Sequence, residues 1–348
     1  KAVWNFTPFR IRVPENIVVQ NTSLYAHLAV MFNRYGHRVS LWTPFEEELE
    51  DIRRHGEHRR LLPGVPVPPS IRLTSDLQEA GEAEIVLMAV PSFAVRESAA
   101  KLQGILRDGT LVVNAGKGLE KGTYKRFTQV IAEELPGARV VALSGPSHAE
   151  EVGRGVPTTI VSASADLDAA ERVQELLMNE TFRIYANTDV VGVELGGAMK
   201  NVIALAAGVC DGLDIGDNAK AAMMTRGLTE IARLGVAMGA HSETFAGLSG
   251  MGDLIVTCSS LHSRNRRAGI LIGQGKSPQE AVKLVGTVEG YYASLAGWEL
   301  SQKLGVEMPI TAQCYRICYE NQRPEAAIGE LMKRPRRHEI EAPWIGKS

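Results

Sequence analysis

The pattern of apolar and polar residues changes character at about residue 185. Before that point, short apolar runs rich in β-branched residues alternate with stretches of helical periodicity. The runs that predict strands are residues 17–19, 38–42, 84–90, 110–114, 139–143, 158–162 and 182–185. Strands that alternate with helices indicate an α/β doubly wound, mainly parallel sheet.

After residue 189 the β-branched runs stop, and apolar residues recur at helical spacing. The predicted helices cover residues 190–212, 219–239, 278–284, 294–304 and 310–321. We therefore expect a sheet domain over residues 1–188, of which 1–35 are atypical, an all-α domain over residues 189–334, and a polar tail over residues 335–348.

Length and charge narrow the class of protein. The 348 residues are enough for two domains, and 45% of them are hydrophobic. The net charge of −2 excludes the strong overall basicity typical of non-specific nucleic-acid binding, so any bound anion is expected to be small. We expect neither a signal peptide nor an apolar run long enough for membrane insertion, which predicts a cytoplasmic protein.

The four cysteines give no sign of a metal site. They lie scattered in apolar segments, without the paired spacing of zinc or redox sites. The residues are Cys210, Cys258, Cys314 and Cys318. Buried free thiols are the simplest interpretation, and no metal is predicted.

Lys200 is the candidate for proton transfer. It lies in the apolar segment Gly-Gly-Ala-Met-Lys200-Asn201-Val-Ile, where a solvated lysine would be out of place. Desolvation would lower its pKa toward the range that suits a general acid or base. The alternative is a structural lysine paired with Glu194. The amide of Asn201 could orient a substrate oxygen beside it.

A cluster of anion-binding groups follows later in the chain. Ser263, Arg264 and Asn265 supply a hydroxyl, a guanidinium and an amide in successive positions. Together they suit a phosphate, which a planar guanidinium binds bidentately. The next two arginines, Arg266 and Arg267, are expected to be solvated.

Asp253 ends the glycine-rich run Gly250-Met-Gly-Asp253, which suggests a close backbone turn. Its carboxylate could bind a substrate hydroxyl, hold Lys200 in place, or only cap a helix. All three interpretations remain open from the residues alone.

Loops after the predicted strands of the first half carry further candidates. A lysine between glycines, Gly116-Lys117-Gly118, can approach an anion without steric obstruction. The run Ser144-Gly-Pro-Ser147-His-Ala-Glu follows the next strand, and its Ser-x-x-Glu pattern is also that of a helix cap. Doubly wound folds bind their ligands at this edge of the sheet.

In this order and spacing, the motifs resemble the bacterial-type NAD(P)-dependent sn-glycerol-3-phosphate dehydrogenases. The longest are Leu-Ser-Gly-Pro-Ser-His-Ala-Glu-Glu at 143–151, Val-Glu-Leu-Gly-Gly-Ala-Met-Lys-Asn at 193–201 and Ser-Arg-Asn-Arg at 263–266. The resemblance implies a Rossmann-like first domain and NAD or NADP as cofactor. It also implies a phosphorylated three-carbon substrate, through the reversible reduction of dihydroxyacetone phosphate to sn-glycerol 3-phosphate for glycerophospholipid synthesis.

The resemblance also implies roles for individual residues, with Lys200 as the catalytic one. The implied substrate-binding residues are Lys117, Gly145, Ser147, Asn201, Asp253, Ser263, Arg264 and Asn265. The implied cofactor-binding residues are Ser23, Pro91, Lys117, Ala149, Arg264, Thr287 and Glu289. On chemistry alone, Glu289 is also the kind of acid that begins a helix. A homodimer is expected, since two-fold pairs are the commonest closed assemblies.

The first 35 residues depart from this family. Counting back from residues 36–42, which match its second strand, places the glycine positions of G-x-G-x-x-G at Gln20, Thr22 and Tyr25. Only Ser23 matches the expected turn, and residues 1–16 are predicted to form no strand. Either this piece is foreign to the family, which we favour because the register is intact after Gly36, or the protein has lost its phosphate turn.

Two other functions fit the residues. One is a non-catalytic protein that binds a phosphorylated ligand and has lost its affinity for dinucleotides. The other is a related dehydrogenase that acts on a hydroxy acid. The end of the second strand, Trp42-Thr-Pro44, has no Asp, Glu or Arg that would choose between NADH and NADPH.

Overall fold

The computed structural model describes residues 2–6, 24–59, 64–336 and 338–339, with the backbone alone for 2–6 and 24–26. The chain forms two compact units. The elements up to Val190 belong to the first unit, and the helices from Val191 onward belong to the second.

The first unit is built on a sheet that has eight strands within the described ranges. They are β1 (Ala2–Phe6), β2 (Arg38–Trp42), β3 (Arg72–Thr74), β4 (Ile85–Met88), β5 (Leu111–Asn114), β6 (Arg139–Ser144), β7 (Thr158–Ala163) and β8 (Phe182–Asn187). Their order is β3-β2-β1-β4-β5-β6-β7-β8. All neighbouring strands are parallel except β6 and β7. The predicted doubly wound, mainly parallel sheet is confirmed.

The prediction that residues 1–16 contain no strand is wrong. Ala2–Phe6 forms β1, which lies between β2 and β4, with Phe6 in register with Trp42 and Met88. Its sequence, Ala-Val-Trp-Asn-Phe, is rich in the β-branched and aromatic residues that favour strands. The predicted strand at 17–19 lies outside the described residues. The three-residue β3 was too short to predict from its pattern.

Helices cover both faces of this sheet. They are α1 (Leu24–Arg34), α2 (Glu46–His55), α3 (Val95–Lys101), α4 (Phe127–Glu134), α5 (Ala149–Gly153) and α6 (Leu167–Leu177). Successive strand residues contribute to different hydrophobic clusters: Leu41 and Val113 pack in one, and their neighbours Trp42 and Val112 in the other. A strand with both faces buried reads as a continuous apolar run, which is why these strands were predictable.

The second unit is helical throughout its described part, which confirms the all-α prediction. Its helices are α7 (Val190–Gly212, whose first residue still belongs to the first unit), α8 (Asp217–Ala237), α9 (Ser242–Phe245), α10 (Asp253–Ser259), α11 (Arg264–Gly273), α12 (Pro278–Val285), α13 (Glu289–Leu304), α14 (Pro309–Tyr319) and α15 (Pro324–Met332). A π-helical turn, Leu248–Gly252, leads into α10. The sequence pattern did not predict α9, α10, α11 or α15, which are short.

The central helix, α7, corrects one expectation. Its 23 residues are long and apolar enough to cross a membrane by length and composition, contrary to the expectation that the chain has no such run. However, 89% of its most apolar window is buried inside the protein. A helix that is apolar on all sides is typical of a protein core as well as of a membrane span.

Helices α7 and α11 approach each other backbone to backbone. A Cβ atom added at Gly208 of α7 would lie 2.1 Å from the carbonyl oxygen of Arg266, and one added at Gly269 of α11 would lie 2.1 Å from that of Leu205. The absence of a side chain at both positions permits this distance. The crossing fixes the start of α11 relative to α7, which carries Lys200.

Candidate active site

Lys200 is buried in the second unit beside two polar groups of α10. Its side-chain ammonium donates hydrogen bonds to Oδ1 of Asp253 and, at 2.7 Å, to Oγ1 of Thr257. The residue is 5% exposed and Asp253 is 1% exposed. The two charges therefore form a buried ion pair, as one of the sequence interpretations of Asp253 expected.

The interpretation of Asp253 as a helix cap is wrong. Helical structure is continuous from the π-helical turn into α10, and Gly252 occupies the position before Asp253. The carboxylate accepts a hydrogen bond from Lys200. Because π-helical turns are often found at functional sites, this placement agrees with a functional carboxylate.

Glycines let the π-helical turn approach α7 at this point. A Cβ atom at Gly196 would lie 2.6 Å from the carbonyl oxygen of Ser249, and one at Gly250 would lie 2.1 Å from that of Phe245. Both distances are too short for any side chain. Gly196 thus lets the turn that leads to Asp253 pack against the helix of Lys200, and Gly250 lets the same turn pack against the end of α9.

Thr257 was missed by the sequence analysis. Its hydroxyl donates to the carbonyl oxygen of Asp253 at 2.6 Å, so its oxygen is the acceptor for Lys200. Asp253 and Thr257 are four residues apart, and helical spacing places them on one face of α10. That spacing was the available signal, but α10 itself was not predicted.

The pairing of Lys200 with Glu194 does not describe the arrangement found. Six residues along α7 separate the two, which places their side chains about 120° apart around the helix axis. The ion-pair partner of Lys200 is Asp253. Burial disfavours the charged ammonium, whereas the adjacent carboxylate favours it.

Asn201 and Asn265 join α7 to α11. The amide nitrogen of Asn265 donates to Oδ1 of Asn201 at 2.9 Å, and Oδ1 of Asn265 accepts from the backbone N–H of Gly290 at 2.8 Å. A Cβ atom at Gly290 would lie 2.3 Å from the carbonyl oxygen of Asn201, so the start of α13 also packs closely here. Three helices therefore meet at Asn265, whose hydrogen-bond partner Asn201 directly follows Lys200 in the chain.

The predicted phosphate-binding segment forms the N-terminus of α11. Ser263 is the N-cap, and its hydroxyl oxygen accepts from the backbone N–H of Arg266 at 3.2 Å. The half-buried Arg264 is the first helical residue. A helix N-terminus carries backbone N–H groups without intrahelical partners and a positive partial charge, so it suits a small anion.

Arg266 is not the solvated residue that was expected. Its Nε donates to Asp211 of α7 at 2.7 Å, and Lys220 of α8 donates to the same carboxylate at 2.9 Å. Burial alone would raise the pKa of Asp211, but the hydrogen bonds from Lys220 and Arg266 hold that pKa below its usual value. Arg267 is exposed, as expected.

In the first unit, the structure brings Lys117, Gly145 and Ser147 together. The ammonium of Lys117, after β5, donates to the carbonyl oxygen of Gly145 at 2.8 Å, and the hydroxyl of Ser147 donates to the same oxygen at 3.0 Å. The interpretation of Ser147 as a helix cap is wrong, because His148 is the N-cap of α5.

The described residues of the first unit fit a dinucleotide at the carboxyl edge of the sheet. Strand β1 lies between β2 and β4, so the strand order reverses there, as it does at the ligand crevice of doubly wound folds. Pro91 follows β4, and Ala149 begins α5 after β6. A Cβ atom at Gly116 would lie 3.4 Å from the carbonyl oxygen of Val90, so the loops after β4 and β5 are in close contact.

The structure describes only some of the remaining predicted positions. Ser23, Gln20 and Thr22 lie outside the described residues, whereas Tyr25 is the second residue of α1. In the second unit, Glu289 is the first residue of α13, in agreement with its interpretation as a helix-start acid.

Two further observations concern Thr287 and the cysteines. Thr287 lies half-buried just before α13. All four cysteines are free and buried, as predicted. The described residues contain no group of three or more His, Cys, Asp or Glu residues that could hold a metal ion.

Comparison with known proteins gives matches along nearly the whole chain. The profile of the NAD-dependent glycerol-3-phosphate dehydrogenase N-terminus matches residues 26–170, and that of the C-terminus matches residues 189–329. The first match begins after β1.

Individual relatives agree with these profiles. A glycerol-3-phosphate dehydrogenase (NAD(P)+) from Desulfitobacterium hafniense is 52% identical over 315 residues, which is 90% of each chain. Another from Moorella thermoacetica is 52% identical over 317 residues, covering 90% of this chain and 94% of the relative. The crystal structure of glycerol-3-phosphate dehydrogenase from Coxiella burnetii has a TM-score of 0.86 and 35% identity, and covers 96% of this chain and 99% of its own.

Proposed function

The chain belongs to the NAD-dependent glycerol-3-phosphate dehydrogenase family, and we propose that it catalyses the reversible reduction of dihydroxyacetone phosphate to sn-glycerol 3-phosphate with NADH or NADPH. The proposed role is supply of glycerol 3-phosphate for glycerophospholipid synthesis. The first unit would supply the sheet edge for the cofactor, and the second would supply the proton donor and the phosphate site.

One observation carries this proposal. The hydrogen bond of 2.9 Å between Asn201 and Asn265 joins the helix of the buried lysine to the helix whose N-terminus suits an anion. Lys200 directly precedes Asn201, and Arg264 directly precedes Asn265. This bond supports a proton-transfer group close to a phosphate site, which a phosphorylated ketone requires.

Lys200 is the proposed proton donor for carbonyl reduction. When bound, the nicotinamide supplies the hydride. The ammonium of Lys200 would give its proton to the carbonyl oxygen as negative charge accumulates there. In the direction of alcohol oxidation, the neutral amine would take the hydroxyl proton back. Asp253 and Thr257 would hold the Nζ atom in place during both steps.

The N-terminus of α11 is the proposed site for the substrate phosphate. Arg264 would contribute the guanidinium and Ser263 its hydroxyl. Asn265 would act partly by holding the start of α11 in place, since its amide already bonds to Asn201 and Gly290. The other proposed substrate contacts are Lys117, Gly145, Ser147, Asn201 and Asp253.

The proposed cofactor contacts are Ser23, Pro91, Lys117, Ala149, Arg264, Thr287 and Glu289. Among the described ones, Pro91, Lys117 and Ala149 lie at the carboxyl edge of the sheet, and Arg264, Thr287 and Glu289 lie at two helix starts of the second unit. The strand order supports the contacts at the sheet edge, because a dinucleotide binds where that order reverses. We further propose a cytoplasmic homodimer, in line with the frequency of two-fold assemblies.

Replacing Lys200 tests the proposed chemistry. Lys200→Met should lower turnover with dihydroxyacetone phosphate at least roughly a hundredfold, because a general acid typically contributes that much or more. Lys200→Arg keeps a cation beside Asp253 but carries a group that does not release its proton, so it should be equally slow. The readout is substrate-dependent oxidation of NADH and NADPH.

The matched control is Lys276→Met, which removes an exposed lysine from the same unit and should keep full activity. Circular dichroism of each variant verifies folding. Turnover of folded Lys200→Met close to that of the wild type would remove Lys200 as the proton donor.

A further inference from the structure

The side chain of Arg266 joins three helices of the second unit. Its Nε donates to Oδ2 of Asp211, near the end of α7, at 2.7 Å. Its Nη1 donates to the carbonyl oxygen of Ser259, the last residue of α10, at 2.8 Å. Its backbone lies in the first turn of α11, where its N–H donates to the hydroxyl of Ser263. Because α7 also carries Lys200, this side chain connects the helix of the proposed proton donor with the proposed phosphate site.

The Asp211–Arg266 pair is largely shielded from water. The side chain of Arg266 is 14% exposed and that of Asp211 is 19% exposed. Lys220 of α8 donates to the other carboxylate oxygen, Oδ1, at 2.9 Å, so Asp211 accepts from cations of two different helices. Charge-assisted hydrogen bonds are stronger than neutral ones, and shielded pairs are screened less by salt than exposed pairs. The pair is therefore suited to hold one helix against another.

Arg266 points away from the proposed phosphate site. Two positions along an α-helix are separated by about 200° around its axis, so Arg264 and Arg266 leave α11 in nearly opposite directions. The guanidinium of Arg266 is also occupied by Asp211 and by the end of α10. Arg266 is thus placed to orient the helix rather than to contact the substrate.

A second attachment point gives this pair its geometric effect. The close crossing of α7 and α11 sets the distance between the two helices, but not the rotation of α11 about its own axis. Asn265 bonds to Asn201 of α7, and the neighbouring Arg266 bonds to Asp211. Asn201 and Asp211 are ten residues apart in α7, which is about 15 Å along its axis. Two attachments this far apart fix the direction in which the first turn of α11 points.

We infer that the Asp211–Arg266 pair is a positioning device for the substrate phosphate. It holds the first turn of α11 in the orientation in which Arg264 and the N-terminal N–H groups converge on the phosphate. The inference rests on the proposed function, because it assigns the pair a part in binding dihydroxyacetone phosphate. Neither residue of the pair would touch the substrate. Loss of the pair should therefore weaken phosphate binding and leave proton transfer by Lys200 in place.

Steady-state kinetics of the full-length chain tests this role. Arg266→Gln should raise KM for dihydroxyacetone phosphate about tenfold, because small misplacements of a positioning group are costly. The values of kcat and of KM for the cofactor should stay close to those of the wild type, and reduction of unphosphorylated dihydroxyacetone should not change. Arg266→Lys keeps the charge but lacks the fork that reaches Asp211 and Ser259 together, so its KM should be intermediate.

Lys220→Gln is the matched control for stability. It removes the other cation that bonds to Asp211 and leaves the bonds between α7 and α11 unchanged. In Arg266→Gln the carboxylate of Asp211 keeps Lys220 as a partner, so this variant is expected to fold. Denaturant unfolding should show a loss of stability in both variants, whereas KM for dihydroxyacetone phosphate should rise only in Arg266→Gln.

A double variant tests whether the pair acts through Arg264. The effect of Arg266→Gln on KM should be much smaller when Arg264 is already alanine, because residues that act through one another are not additive. An equal effect in both backgrounds would contradict the inference.

The remaining outcomes separate this inference from the proposed function. An active wild type whose KM is unchanged by Arg266→Gln would overturn the inference and leave the proposed function standing. An equal rise in KM in Lys220→Gln would show that the cluster acts only through stability, which would also overturn the inference. No turnover of dihydroxyacetone phosphate by the wild type would refute the proposed function and the inference with it.

Discussion

At the scale of single residues, the Lys200–Asp253 pair is the feature that most needs a functional explanation. A buried ion pair contributes little net stability, because removing both charges from water costs about as much as their attraction returns. Two well-packed apolar residues would stabilise the same place at least as well. The pair is therefore better explained by proton transfer than by folding.

Arg264 is expected to act through the phosphate of the substrate. Arg264→Ala should raise KM for dihydroxyacetone phosphate roughly a hundredfold, since hydrogen bonds to a charged group are worth about 2–3 kcal/mol. Reduction of unphosphorylated dihydroxyacetone should change little. Steady-state kinetics with both compounds measures the difference, and Arg267→Ala, which alters an exposed neighbour, is the control.

Two other results with Arg264→Ala would change the role assigned to this residue. An equal loss with both compounds would assign Arg264 to the cofactor or to the fold. Indifference to Arg264→Ala would remove the phosphate site and favour a hydroxy-acid substrate instead.

Glu230 is expected to make stability depend on pH. Burial raises its pKa from 4.5 to about 7, while hydrogen bonds from Ile310 and Thr311 oppose that rise. Because the folded state binds the proton more tightly, its contribution to the free energy of unfolding is complete below about pH 4.5 and is lost as pH rises through 7. The loss should amount to about 3 kcal/mol.

Denaturant unfolding between pH 5 and 8 measures how the free energy of unfolding changes with pH. This interval extends about one pH unit above the raised pKa of Glu230. Glu230→Gln should flatten the pH dependence, whereas Glu320→Gln, at an exposed position of the same unit, should keep it. Parallel curves for the wild type and Glu230→Gln would contradict the assignment.

At the scale of elements, the crossing of α7 and α11 sets the distance between the proposed proton donor and the proposed phosphate site. Neither backbone can retreat easily, because the closest atom to an added Cβ at Gly208 is a carbonyl oxygen, at 2.1 Å. Any side chain there must move α11, and Arg264 with it.

Gly208→Ala is therefore expected to impair both stability and activity. Overpacking at such a contact typically costs about 1–3 kcal/mol of unfolding free energy. KM for dihydroxyacetone phosphate should rise as well, because Arg264 moves with α11. Denaturant unfolding and steady-state kinetics measure the two effects.

Gly329→Ala in α15 is the matched control, since nothing lies within 4 Å of its added Cβ. That change should stabilise the protein by roughly 0.5–1 kcal/mol, as alanine is the better helix former. Equal effects at the two glycines would show that the crossing is not tightly constrained.

The elements also show which parts of the fold were predictable. Helix α7 was predicted with its observed bounds, because its apolar residues recur at helical spacing along its whole length. Helix α11 was missed, since its first turn is Arg-Asn-Arg-Arg and its apolar face is interrupted by Gly269. The role of Gly269 becomes clear only once α7 lies against it, because the sequence pattern of one helix cannot reveal which helix packs against it.

At the scale of the whole molecule, each unit has its own core, and the sequence indicated candidate site residues more readily than their contacts. Lys200, Asp253 and Arg264 were chosen as candidates because charged residues in apolar or glycine-rich surroundings are conspicuous. Thr257 was not, because an ordinary threonine becomes significant only through its distance from Lys200. The bonds of Asn265 and Arg266 likewise arise from tertiary packing.

The N-terminal part was predicted least well. Strand β1 completes the sheet between β2 and β4, although its sequence does not resemble the family. Residues 7–23, which hold the expected place of the G-x-G-x-x-G turn, lie outside the described residues. The sheet therefore has the strand order that a dinucleotide needs, while the chemistry of the phosphate turn remains the prediction made from Gln20, Thr22 and Tyr25.

The most direct test of the proposed reaction is phosphorus NMR of the purified chain with dihydroxyacetone phosphate and either NADH or NADPH. The account predicts that the substrate signal is replaced by that of glycerol 3-phosphate, with one product molecule for each molecule of reduced cofactor oxidised. A substrate signal that stays unchanged with both cofactors, in a chain that still unfolds cooperatively, would contradict it.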